Sequence, residues 1–286
     1  MDEGLPPKRP EGSDPLFPGL RRRRGSRNQI GTIVGAVVVL LLLGGGFWYW
    51  MHTRDAEPTP DGPAPTAVDT APLPDTLPEE PELDLPPLGA SDEFVRSLVA
   101  RLSEHPQLAA WLVTDELVHR FVTSVVNIAG GGTPVSQVPF LVPEDEFVVR
   151  ETAEGLVIDP ASYRRYNLLA ETFVSIDTEG AARLYRGLRP LFEEAYAELG
   201  LPDRTFDETL AVAIGNLLAV EVPDRPIRVV LGEGIIYEFA DPSLEGLPHA
   251  QRHMYRLGPE NARRVQEKLR ALSDALGMDP RPAGEE

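Results

Sequence analysis

Tyrosine and arginine recur together in this chain at spacings that could build a recognition surface. The set comprises Tyr163, Arg165 and Tyr166, then Tyr185, Arg186 and Arg189, then Arg263, Arg264 and Lys268, with Arg252, Arg256 and Arg270 nearby in sequence. A guanidinium fork pairs bidentately with a carboxylate or phosphate, and a tyrosine ring stacks on sugars or on guanidinium planes. Such groups suit a peptide, a protein or a cell-wall glycan. The same residues can instead form internal ion pairs, and Arg189 stands at i,i+4 to Glu193.

Other constellations carry less chemistry. His249 and His253 lie one helical turn apart, the spacing of a zinc pair, but Ala250 stands where a zinc protease has its general base. They read as solvated helix histidines, and His105 and His119 as structural ones. Gly130-Gly131-Gly132 follows a helix, whose end presents carbonyls, whereas anions want the N–H groups of a helix start. Asp207 with Glu208, and Glu193 with Glu194, are adjacent in sequence and diverge from a helix, unlike the facing carboxyls of a glycosidase. There is no Gly-x-Ser-x-Gly elbow and no cysteine. No catalytic set, metal or cofactor is expected.

These residues must be positioned by a mainly helical α+β fold. Apolar periodicity predicts helices over 92–102 (capped by Ser91), from Pro106 through Leu112, and from Thr114 to Ile128. Further helices are expected from Pro160 through Phe173, from Asp177 to Leu199, from the Thr205/Glu208 capping box to Leu218, over 248–257, and from Pro259 to Leu276. Pro190 predicts a kink or a restart. Two short β-hairpins are expected, pairing 147–150 with 156–158 and 228–231 with 235–239.

Several of these segments resemble the bacterial domain-of-unknown-function family 3014. They are Ser91–Leu102 followed by His105-Pro106-x-Leu108-Ala109-x-Trp111-Leu112; Ile158-Asp159-Pro160-x-Ser162-Tyr163-x-Arg165-Tyr166; Leu184-Tyr185-Arg186 through Arg189-Pro190-Leu191-Phe192-x-Glu194-Ala195-Tyr196-x-Glu198-Leu199-Gly200; and Gly258-Pro259-x-Asn261-x-Arg263-x-Val265-Gln266-x-Lys268-Leu269. The likeness covers nearly all of 88–277 in order. It implies a bacterial envelope protein and supplies no activity and no site.

Compartment is read from the first third of the chain. Ile30, Leu40, Leu41, Leu42, Leu43, Phe47, Trp48 and Trp50 belong to an uncharged apolar stretch within 29–51, long enough for one bilayer crossing. It is too long, and too aromatic at its end, for a cleaved signal peptide. Arg21, Arg22, Arg23 and Arg24 precede it and predict a cytoplasmic amino end. Gly31 and Gly35 have the small-residue spacing of a helix dimer.

The expected organisation is a disordered basic tail (1–28), a transmembrane helix (29–51), a Pro-rich acidic linker (52–90), a compact helical domain (91–278) and a disordered tail (279–286). Net charge is −18 overall, +3 in 1–28, −8 in 52–90 and −13 thereafter. An exported domain that acidic is a poor nucleic-acid binder. The expectation is a single-pass inner-membrane protein, in contact with the lipid bilayer, whose periplasmic domain is a scaffold for an envelope protein or peptidoglycan. An extracytoplasmic hydrolase with paired carboxylates on wall glycan is the alternative.

Overall fold

The computed structural model describes residues 83–134, 137, 143, 145–201, 204–232 and 236–284. The expected transmembrane helix, basic tail and glycine dimer motif, and the linker up to residue 82, lie outside the described residues. Among those described, no helix is long and apolar enough to cross a membrane.

The fold is mainly helical with two small antiparallel hairpins. A 3-10 turn, Leu88–Ala90, precedes α1 (Asp92–Val99), α2 (Pro106–Trp111) and α3 (Leu117–Ala129). Strands β1 (Val149–Thr152) and β2 (Gly155–Ile158) lead into α4 (Pro160–Arg164), α5 (Asn167–Val174), α6 (Thr178–Glu198) and α7 (Phe206–Leu218). After β3 (Val229–Leu231) and β4 (Tyr237–Phe239) come α8 (Pro242–Glu245), α9 (His249–Arg256) and α10 (Pro259–Leu276).

Helices α3, α6 and α7 pack around Phe121, Phe192 and Phe206, with Phe121 and Phe192 centroids 4.7 Å apart. Helix α10 closes the other side with Val265, Leu269 and Leu272. Local capping chemistry sets several starts. Asp159 accepts the Ala161 N–H (2.8 Å), Asp177 the Gly180 N–H (3.0 Å), and Thr205 with Glu208 completes a reciprocal capping box. Gly277 ends α10 in the left-handed conformation.

Several local expectations are corrected. Ser91 has helical dihedrals and so cannot cap α1; its hydroxyl donates back to the Leu88 carbonyl (2.7 Å). Thr114 does not cap α3, which starts at Leu117. The helix expected from Pro160 breaks into α4 and α5 at Arg165–Tyr166. Helix α6 continues through Pro190 without a restart, because Leu184 and Leu188 before it and Leu191, Phe192 and Ala195 after it share one buried stripe. Leu199, expected in that stripe, is exposed.

Packing also extends past the expected limits. Leu83, Leu85 and Leu88 lie on the core ahead of Ser91, and Leu83 sits where α6 carries Gly187. After α10, the Arg281–Pro282 backbone crosses α7 at Gly215, and the Ala283 N–H donates to Asn216 Oδ1 (2.9 Å). Any side chain at residue 215 would collide with that crossing.

Candidate functional site

The Tyr163–Tyr166 segment lies at the junction of the hairpins with α9. Arg256, on α9, is buried; its guanidinium stands over the rings of Phe147 (5.4 Å) and Phe239 (5.0 Å) and donates to the Tyr237 carbonyl (2.8 Å). Burial pulls its pKa down. Arg165 donates to the Ser162 (3.0 Å) and Asp145 (2.8 Å) carbonyls and covers Phe147 and Tyr166. The two arginines thus bind backbone acceptors and π faces of their own fold.

The tyrosines are core residues rather than stacking platforms. Tyr166 is 0% exposed, its hydroxyl is buried, and burial pushes the phenol up against the pull of Arg165 and Arg256. Burial also pushes Tyr163 up, to about 12, against a hydrogen bond with the Ile227 backbone. Its ring lies on Gly258, whose φ of 82° and lack of a side chain make that approach possible. His253, expected in solvent, is 5% exposed and meets the Tyr166 ring edge-on at 5.9 Å.

The second and third groups sit on α6 and α10. Tyr185 is buried and donates to Asp207 at 2.5 Å; Arg189 pairs with the same carboxylate at 2.7 Å. Burial, then the Asp207 bond, raises the Tyr185 pKa. Glu193 does not serve as the expected i,i+4 anchor but accepts the Phe206 N–H (3.3 Å) at the start of α7. Arg186 donates to the Ala275 carbonyl (3.1 Å). Lys268 bonds the Ile176 carbonyl and Thr178 Oγ1 (2.7 Å), and burial lowers its pKa. Arg263 pairs with Asp224 and lines an open groove of about 450 Å³ between α10 and residues 218–222. Arg264, half-buried, is on α10 beside it. The nine residues therefore fall into a hairpin group, an α6 group and an α10 group, each engaged with its own surroundings.

A different surface gathers exposed side chains. The hairpins meet where Val157 bridges Arg228 and the Ile158 N–H donates to the Ile227 carbonyl (3.0 Å), while Arg150 pairs with Val157 from the other side. Residues paired directly across antiparallel strands point to the same face. Arg150, Val157 and Arg228 therefore form one row, with Val148, Val230 and Ile236, and the acids Asp159 and Glu238, on the same face by cross-strand pairing and strand alternation. Val157 is 4% exposed yet lies outside the main core cluster, which places it under its neighbours on this outer face. Val148, Val230 and Ile236 are 43%, 46% and 45% exposed, and both arginines are exposed.

A family model described as protein of unknown function (DUF3014) matches residues 117–273, more than half of the chain. The chain belongs to the DUF3014 family. The match runs from the start of α3 to within the last turn of α10. No curated protein and no solved structure matches the chain.

What sequence reasoning missed in this DUF3014 fold depends on distant pairing. Three buried amides tie helix ends together: Asn216 donates to the Ile128 and Ala129 carbonyls (3.0 Å each), Gln266 to Leu217 (3.1 Å) and Val220 (2.8 Å), and Asn261 to Tyr163 and Leu257 (3.2 Å each). Polar residues inside apolar stripes were the available signal. Among the described residues, no group of three or more His, Asp or Glu is placed to hold a metal ion.

Proposed function

We propose that the chain is a single-pass envelope protein, anchored in the bacterial inner membrane, whose extracytoplasmic domain binds a protein or cell-wall partner. The anchor rests on residues 29–51 and the arginines before them. The observation that carries binding is the outer sheet face, where Val148, Val230 and Ile236 are exposed alongside Arg150, Arg228 and the half-buried Glu238 on a domain whose charge is −13. Exposed aliphatic side chains interleaved with charges on a sheet face form a surface that a partner can cover. The adjacent acids do other work, Asp207 holding Tyr185 and Arg189, Glu193 the start of α7, and Glu208 a capping box, so a hydrolase would have to draw its paired carboxylates from elsewhere.

The test is photo-crosslinking in intact membranes from a probe at Val230. Reversing Arg150 and Arg228 to glutamate should cut the yield of one defined product at least ten-fold while the melting temperature holds. An unchanged yield would contradict the reading.

A further inference from the structure

We infer that the groove between α10 and residues 218–222 binds the free carboxyl end of a short aliphatic peptide. The site goes beyond the sheet-face reading and shares no residue with that face.

Its polar groups lie along one stripe of α10. Arg263, Gln266 and Arg270 follow at i, i+3 and i+7, so they share a face over about 10 Å of helix. Gln266 is 5% exposed, and its Nε2 donates to the carbonyls of both Leu217 and Val220. Two carbonyls on one nitrogen fix which way the amide points, and Oε1 finds no donor among the described residues. A buried amide oxygen on the lining of an open groove is an acceptor for an N–H that enters with a ligand.

Arg270 supplies the charge. It is exposed and, among the described residues, has no ion pair and no hydrogen bond, whereas Arg263 is held by Asp224. Helical side chains lean toward the amino end of their helix, which carries the Arg270 guanidinium back toward Gln266. In the last residue of a peptide the carboxylate and the amide N–H hang from one Cα. A guanidinium fork and an amide oxygen one helical turn apart match that pair. The N–H groups of Glu221 and Val222, on the opposite wall, also have no acceptor among the described residues and can serve a preceding peptide carbonyl.

The rest of the lining narrows the ligand. Glu221 and Glu267 balance the two arginines, so a single carboxylate is admitted and a polyphosphate is not. Leu218 and Val222 give the walls an aliphatic character suited to small apolar side chains. The volume, about 450 Å³, falls in the ordinary range for small-ligand clefts.

The test uses the full chain in nanodiscs, dialysed to equilibrium against radiolabelled acetyl-Ala-Ala. The peptide should be retained. Converting its carboxyl to the amide should weaken retention about ten-fold or more, and methylating its last amide nitrogen about five-fold. Both comparisons are made on the unaltered chain, so they hold whatever a variant does to folding. Arg270→Gln, at an exposed position, should match the first loss. No retention of the acid, equal retention of the amide, or undiminished retention by Arg270→Gln would overturn the inference. Crosslinking from Val230 should be indifferent to Arg270→Gln, which keeps a failure here distinct from a failure of the sheet-face reading.

Discussion

The carboxylate of Asp92, in the first turn of α1, accepts the backbone N–H of Leu117 at 2.8 Å, at the first position of α3. Its second oxygen takes the Glu116 N–H at 2.7 Å. One side chain thereby caps a helix that begins twenty-five residues later, and Glu116 tolerates a left-handed φ of 59° next to it. Asp92→Ala should destabilise the domain by about 1–2 kcal/mol, the usual worth of a cap. Asp92→Asn, which keeps one acceptor, should lose less than half of that. Urea unfolding followed by circular dichroism measures both.

Gly258 and Gly155 both have positive φ, 82° and 112°, but only Gly258 faces a ring. Gly258→Ala adds a collision with Tyr163 to the backbone strain and should cost about 2–4 kcal/mol. Gly155→Ala has open space around it and should cost only about 1–2 kcal/mol. Equal losses would show that the Tyr163 contact contributes nothing.

At Gly215 the obstacle is the Arg281–Pro282 backbone rather than a core side chain. Gly215→Ala should therefore displace the terminal segment and leave α7 intact. Hydrogen exchange reads this directly: the Ala283 amide, bound to Asn216 Oδ1, should lose protection at least ten-fold while the amides of α7 keep theirs.

These contacts mark what the sequence could and could not disclose. Asp177 and the Thr205/Glu208 box were legible because a cap and the amides it serves lie within three residues. Asp92 was not, since its amides come from another helix. The Tyr and Arg motifs were visible as residue types, but Arg256 finds its partners on both hairpins, and only the folded chain shows them to be internal. Arg150 and Arg228 looked ordinary in sequence. Their row over Val157 exists only because the hairpins meet.

Raised phenol pKa values make the fold alkali-sensitive. Tyr163, Tyr166, Tyr185 and Tyr255 are all raised above 10.0, Tyr163 to about 12, chiefly by burial. The unfolded chain releases these protons first, so their stabilisation is complete below pH 10 and is lost as pH rises from there through the folded values. Stability should fall by up to about 1.4 kcal/mol per pH unit for each of the two deeply buried phenols, Tyr166 and Tyr185, and by less for Tyr163 and Tyr255. Absorbance at 295 nm should show Tyr166 and Tyr185 ionising only with unfolding. Ionisation of all seven tyrosines near pH 10 in a folded chain would contradict it.

An exported, anchored binding domain requires the carboxyl end to lie across the membrane from the arginines at 21–24. Paired reporters fused after Glu286 in a bacterial host, alkaline phosphatase and green fluorescent protein, measure this most directly. The account predicts phosphatase activity in membrane-bound, full-length fusions and no fluorescence from the other. Fluorescence with an inactive phosphatase, or active fusions released in soluble form and shortened at the amino end, would contradict it.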